Sequence, residues 1–322
     1  MANTNNNMPR ARAAKKDEFY TLLADIEAEL VWYKQHFKDK VVYCNCDDAY
    51  TSNFVKFFQD RFEEYGLKEL IASSYSDGDI TTQIYRKTAQ GVRLTTDLGD
   101  GSYSSPACLR LLGEADIVVT NPPFSLFRDY ITTLVQAKKQ FLVIGNNNAI
   151  TYKELFPLIR SNQIWLGIHV NKTLEFRLDP SYSEWSRMDD QGNKYGKVPA
   201  ISWFTNLGHH KRNTAMTLHK RYTKDAYPQY DNYDAINVSK VKDIPKDYYG
   251  AMGVPITYLD KHCPHQFTIE DANDYILGQA APLKPHGLIK DSHSAIGGKP
   301  VYARIVIRRV KSPGTTLTKQ AH

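Results

Sequence analysis

From residue 40 to residue 170, short apolar runs and amphipathic stretches take turns, and this alternation limits the fold more than any other feature of the chain. KVVYCNC (40–46), ELIASSY (69–75), ADIVVT (115–120), QFLVIGN (140–146) and NQIWLGIHV (162–170) read as strands: short, and rich in β-branched and aromatic residues. Between them lie helical spacings. Phe54, Phe57, Phe58 and Phe62 follow a Thr51 or Ser52 cap, a short helix is expected at about 105–113, and SLFRDYITTLVQAKK (125–139) supplies another. TYKELFPLIR (151–160) opens with Thr151 and Glu154, the pattern of a capping box. In front, Leu22, Ile26, Leu30, Tyr33 and Phe37 give 17–37 a helical period. Right-handed crossovers turn such an order into a parallel sheet covered by helices on both faces, with ligands at the carboxyl ends of the strands. VPAISWFTNL (198–207) is expected to close the same sheet, whereas 76–104, with one strand at 92–96, and 171–198 read as polar and irregular.

The rhythm changes after about residue 215, where tyrosines, prolines and glycines crowd short segments. Three regions follow: a flexible basic arm (1–16), a larger α/β domain (17–215) and a smaller irregular domain (216–322). No apolar run approaches the roughly 20 residues of a membrane span. The four cysteines are too few and scattered for a disulfide framework, so a reducing, cytoplasmic setting is expected. Charge is uneven. From residue 170 onward, 22 Lys and Arg face 15 Asp and Glu, a balance of +7, against −1 for the residues before. A basic back half suits a polyanionic partner; a chance imbalance is the plain alternative.

The apolar run Ile117-Val118-Val119 ends in Asn121-Pro122-Pro123-Phe124. Two prolines cannot donate to a sheet ladder, so the strand stops there, at the carboxyl end where a ligand would sit. Asn121 offers an amide oxygen, Pro122 a carbonyl with no N–H beside it, Pro123 a fixed φ, and Phe124 a flat face. Two rigid acceptors beside an aromatic ring suit a planar heterocycle bearing an NH2. Such an amine is a poor nucleophile, because its lone pair is delocalised into the ring. Holding both hydrogens favours a pyramidal nitrogen that needs only a positioned electrophile, so orientation and prearranged dipoles supply the rate. The bland alternative is a strand-ending turn with Ser125 as a helix cap.

(Asn/Asp)-Pro-Pro-aromatic after a strand is the motif of S-adenosylmethionine-dependent amino-methyltransferases. DEFYT (17–21), KVVYCNCDD (40–48), IVVTNPPFSLF (117–127), ITYKELF (150–156), IWLG (164–167), DNYDAINV (231–238) and GVPITYL (253–259) together resemble the EcoRI-type DNA adenine methyltransferase family. The resemblance implies a Rossmann-like S-adenosylmethionine-dependent methyltransferase sheet over 17–215 and a DNA-recognition domain over 216–322. It implies methyl transfer to N6 of an adenine flipped out of double-stranded DNA, as in restriction-modification, by Asn121, Pro122, Pro123 and Phe124. Phe19, Tyr20 and Thr21 match the segment near the cofactor's methionine end, and Asp100, in GDGSYSS (99–105), the acidic turn beside its adenine. VVYCNCDD stands where the family's glycine-rich loop belongs and has no glycine, though Asn45, Asp47 and Asp48 are well placed for the cofactor's polar groups, together with Asn121. RNA adenines, a protein glutamine amide and a catalytically silent DNA-binding module are the alternatives. A monomer is expected, because methylating one strand at a time needs no two-fold partner.

Other clusters weigh less. Lys211 and Arg212 in GHHKR and Arg304, Arg308 and Arg309 in YARIVIRRV are candidates for phosphate or base contacts, or simply for solvent. Cys44 with Cys46, and His262, Cys263 and His265, lack the further ligands of a zinc site, so no metal is expected.

Overall fold

A computed structural model describes residues 19–74, 81–99, 101–231, 233–270, 295–301 and 304–310. The basic arm and Asp100 lie outside the described residues. Two compact units emerge. The first runs through Leu155 and resumes at Ile164–His209; the second comprises Phe156–Gln163 and everything from His210. The separation therefore falls a few residues before the expected 215, and a short excursion of the α/β region joins the second unit.

Among the described residues the first unit carries eleven strands: β1 (Phe19–Thr21), β2 (Val41–Asn45), β3 (Glu69–Ser73), β4 (Thr81–Thr88), β5 (Gly91–Leu98), β6 (Ile117–Thr120), β7 (Gln140–Asn146), β8 (Trp165–Leu166), β9 (Lys172–Leu178), β10 (Arg187–Met188) and β11 (Lys194–Thr205). They form one sheet in the order β1-β9-β11-β7-β6-β2-β3-β4-β5, with β8 and β10 paired to β11. The expected parallel sheet is only its centre. β3, β2, β6 and β7 are parallel, whereas β4, β5, β11, β9 and β1 are antiparallel to their neighbours. The cause is visible in residue type. β2 and β6 are buried at every position, as strands covered on both faces must be. Among the flanking strands β9 alternates and β5 is mostly exposed, and antiparallel neighbours such as β4 and β5 join through a hairpin with no crossover helix.

Several local expectations change accordingly. The 76–104 stretch holds a full hairpin, β4–β5, and 171–198 holds β9, β10 and the start of β11. Leu174, Phe176 and Leu178 are buried on alternate positions of β9, a period of two hidden by polar neighbours. The front segment begins as β1, and its helix spans Leu23–Leu30. The capping box at 151–154 does not form. Thr151 Oγ1 donates to the Asn148 carbonyl at 2.8 Å, and the helix starts only at Phe156, with Pro157 in its first turn where no N–H is needed.

Ser52 caps the helix Asn53–Asp60, its hydroxyl accepting from the N–H groups of Phe54 and Val55. Phe57 and Phe58 of this helix meet Phe37 and Tyr65 at ring distances of 5.1–5.3 Å, an aromatic layer over one face of the sheet. On the helix Phe127–Gln136, Phe127, Tyr130, Ile131 and Leu134 are buried, and Phe127 packs 5.0 Å from Phe204 of β11. Gly145 of β7 makes that contact possible, because a Cβ there would lie 2.4 Å from the Phe127 ring. In the second unit, β12 (Ile236–Asn237), β13 (Met252–Val254), β14 (Phe267–Ile269) and β17 (Ile305–Arg309) form a four-stranded sheet in the order β12-β13-β17-β14, and a small hairpin pairs β15 (Ala295–Ile296) with β16 (Lys299–Pro300). Arg212 donates to Asn162 Oδ1, tying the excursion to the rest of that unit.

Gly145→Ala is expected to lower stability by about 1–3 kcal/mol through overpacking. Gly113→Ala, at a helical position with nothing within 4 Å of the new methyl, is expected to leave stability unchanged or raise it slightly. Urea midpoints of the two variants measure the contrast.

Candidate active site

β2 and β6 are adjacent and parallel, but the chain leaves them on opposite sides: β3 lies beyond β2, and β7 beyond β6. Their carboxyl ends therefore flank a topological switch point, where an open α/β sheet leaves a crevice for ligands. Asn45 ends β2 and Cys46, Asp47 and Asp48 follow it, while Asn121-Pro122-Pro123-Phe124 follows β6.

The missing glycine has a structural counterpart. Cys46 adopts a φ of 70°, the left-handed conformation that glycine takes at least cost. The loop is built by polar groups instead. Asp48 Oδ1 accepts from the N–H groups of Tyr50 and Thr51 at 2.9 Å and from the Thr51 hydroxyl at 3.0 Å. Tyr130 OH donates to Asn45 Oδ1, and Tyr103 packs on Tyr130 at 5.1 Å. Tyr103 thereby lies against a residue that holds the loop.

Asp47 faces inward, with 9% of its surface exposed. Ser52 Oγ donates to its Oδ1 at 2.6 Å, and Thr120 Oγ1 lies against its Oδ2. Thr120 Oγ1 also sits 2.5 Å from the Asn45 carbonyl. A single hydroxyl proton cannot serve both oxygens fully. A proton on Asp47 resolves the conflict: Asp47 donates to Thr120, which donates to Asn45. Burial pushes the Asp47 carboxyl up to about 7, against the opposing pull of the Ser52 and Thr120 hydrogen bonds.

The Asn121 amide is fixed by strand β1. Its Nδ2 donates to the Phe19 main-chain carbonyl at 2.6 Å. A carbonyl only accepts, so the amide nitrogen must face Phe19 and Oδ1 must point the other way. That Oδ1 is buried and has no hydrogen-bond partner among the described residues, and neither has the buried Thr21 Oγ1. Pro122 is buried beside it. The Phe19 ring stacks on Phe124 at 5.6 Å with 28° between planes, and Phe176 and Tyr182 pack on Phe19 at 5.6 and 6.1 Å. Phe176 and Tyr182 were not legible as site residues, because their segment reads as irregular. Tyr20 points away from this cluster by strand alternation, and its ring lies 5.0 Å from the Arg177 guanidinium.

The candidate nucleic-acid contacts separate. Arg212 is 8% exposed and held by Asn162, its pKa lowered by burial to about 10, which makes it a packing element of the second unit. Lys211 pairs with Asp260, and Arg304 is half-buried. Arg308 is exposed on β17, with Nε 3.3 Å from Glu270. His262 is buried against the Tyr258 hydroxyl at 2.9 Å, and burial drives its pKa down to about 3, so it is neutral core. No group of metal-ligating side chains occurs among the described residues, and all four cysteines are free.

Because the raised Asp47 carboxyl binds a proton that the unfolded chain has released, it contributes stability that fades as pH rises from about 4 through about 7. Asp47→Asn is expected to remove this slope. The stability of wild type minus that of the variant, measured by urea unfolding, should fall as pH rises across that window, because the amide keeps the donor and acceptor pattern of the protonated carboxyl.

The fold and this geometry agree with sequence comparisons. The family described as adenine-specific methyltransferase EcoRI matches residues 7–310. The chain is 42% identical over 329 residues to the type II methyltransferase M.EcoRI of Escherichia coli, covering 95% of this chain and 97% of that one. It is 41% identical to the type II methyltransferase M.MpnI of Mycoplasma pneumoniae, with 93% and 97% coverage, and 39% identical to M.MgeORF184P of Mycoplasma genitalium, with 93% and 98% coverage. No described helix is long and apolar enough to cross a membrane. A family match over residues 7–310 and relatives at 39–42% identity over nearly the whole chain make this an enzyme of the EcoRI-type adenine-specific methyltransferase family.

Proposed function

We propose that the protein transfers the methyl group of S-adenosylmethionine to N6 of an adenine turned out of duplex DNA within a short recognition sequence, as a modification enzyme of the restriction-modification type. The observation that carries this reading is the buried, unpartnered Asn121 Oδ1, aimed away from Phe19 beside Pro122. It is an acceptor whose desolvation is compensated only when a donor arrives, and an adenine amino group is such a donor. The second acceptor is the Pro122 carbonyl. Phe124 offers its ring to the base, backed by Phe19 and with Phe176 edge-on at 6.3 Å.

S-adenosylmethionine would supply an activated methyl group on a sulfonium. The residues present fit it. Asn45, Cys46 and Asp48 border the crevice at the end of β2, and the unpartnered Thr21 hydroxyl lies in the strand that holds Asn121. In this reading Asp47 supports the crevice from behind. The chain's own contribution is orientation. Asn121 and Pro122 grip the two amine hydrogens, localise the nitrogen lone pair and aim it; the surplus proton leaves after attack, so no strong base is needed. Turning the base out is obligatory because the target nitrogen is paired in the duplex, and it costs a few kcal/mol. Arg308 and the basic second unit serve the phosphates, so binding weakens as salt rises. One strand is methylated at a time, which a monomer can do.

Transfer of labelled methyl from S-adenosylmethionine to duplex DNA, RNA and protein in parallel tests the assignment; label confined to RNA or protein contradicts it. Asn121→Ala is expected to lower turnover by about 10²–10³ while DNA affinity stays within a few-fold. Phe124→Ala is expected to weaken holding of the extruded base by about 1–3 kcal/mol, visible as a changed fluorescence response of 2-aminopurine at the target position.

A further inference from the structure

We propose that Phe19 is a positioning residue of the catalytic motif: its main-chain carbonyl selects asparagine over aspartate at position 121, and its ring sets the plane of Phe124. This rests on the function proposed above and deepens it. The family resemblance gives Phe19 to the cofactor, yet Phe19 touches both ends of the motif. The carbonyl stands 2.6 Å from Asn121 Nδ2 and the ring 5.6 Å from the Phe124 ring. β1 is itself fixed, pairing with β9 from Phe19↔Leu178 to Thr21↔Phe176, and Asn53 Nδ2 donates to the Thr21 carbonyl at 2.8 Å.

The chemical consequence is specific. A carbonyl oxygen beside position 121 demands a donor there, and an amide offers one while keeping an acceptor for the substrate amine. An ionised aspartate would set a second oxygen against the Phe19 oxygen, a repulsion the buried setting does little to screen. A protonated aspartate would satisfy both sides: its O–H donates to Phe19, and its C=O accepts from the amine. The motif tolerates Asn or Asp in general, but this strand makes the choice here depend on a proton. The ring makes a separate demand. Phe124 is half-buried and held on its far side by Phe19, so its plane is fixed before a base reaches it.

The experiment is the pH dependence of turnover on duplex DNA for Asn121→Asp relative to wild type. The ratio of variant to wild-type turnover is expected to rise at least about tenfold between about pH 8 and about pH 5.5, as the carboxyl takes up its proton. A ratio that stays flat, including a variant inactive throughout, overturns the carbonyl's role. Phe19→Leu keeps the carbonyl and removes the ring. It is expected to lower turnover about tenfold and to change the 2-aminopurine response, with S-adenosylmethionine affinity within about twofold, while Phe19→Tyr restores both. Equal losses in S-adenosylmethionine affinity and turnover, with an unchanged 2-aminopurine response, make Phe19 a cofactor contact and overturn the ring's role. Wild-type protein that fails to methylate duplex DNA would defeat the proposed function itself, a result distinct from either of these.

Discussion

One hydroxyl joins the two halves of the crevice. Thr120 Oγ1, at the last residue of β6, reaches the Asn45 carbonyl at the last residue of β2 and the Asp47 carboxyl just beyond it. The ends of two neighbouring parallel strands are thereby held together where the chain leaves them in opposite directions. Asn121 is the next residue along the chain, so its starting position is set by this seam. Burial makes the seam sensitive to every proton in it. Thr120 is fully buried and Asp47 nearly so, and a missing partner there costs far more than it would at the surface.

From that anchor the motif is completed by a strand far away in sequence. β1 brings the Phe19 carbonyl to Asn121 across 102 residues of separation. It stays in place through β9, which belongs to the antiparallel wing of the sheet. The antiparallel additions therefore have a use beyond widening the core. They carry Phe19, Phe176 and the following Tyr182 to the carboxyl end of β6, where the parallel centre alone would leave the motif open. Prolines at 122 and 123 remove N–H groups that would compete for neighbouring acceptors, and they stiffen the turn.

Much of this was legible in residue order. The apolar strands, the aromatic helix after Ser52 and the Asn-Pro-Pro-Phe turn carry strong local signals, since period and proline chemistry act over a few residues. Of the antiparallel wing, the apolar end of β11 was legible as a last strand, but β9 was not, because Lys172, Glu175 and Arg177 break up its apolar positions. The inward turn of Asp47 was not legible either. Its partner Thr120 is 73 residues away, and a carboxyl that serves a ligand looks the same in sequence as one that serves a neighbouring strand. Arg212 shows the same limit: basic residues in a row resemble a phosphate contact until packing places one of them against Asn162.

A crystal structure of the protein with duplex DNA and a non-reactive analogue of S-adenosylmethionine tests the central claim most directly. The account predicts the target adenine outside the duplex, its N6 about 3 Å from both Asn121 Oδ1 and the Pro122 carbonyl, with Asn121 Nδ2 still on Phe19. An N6 more than about 5 Å from either oxygen, or an Asn121 amide turned so that its oxygen faces Phe19, would contradict it.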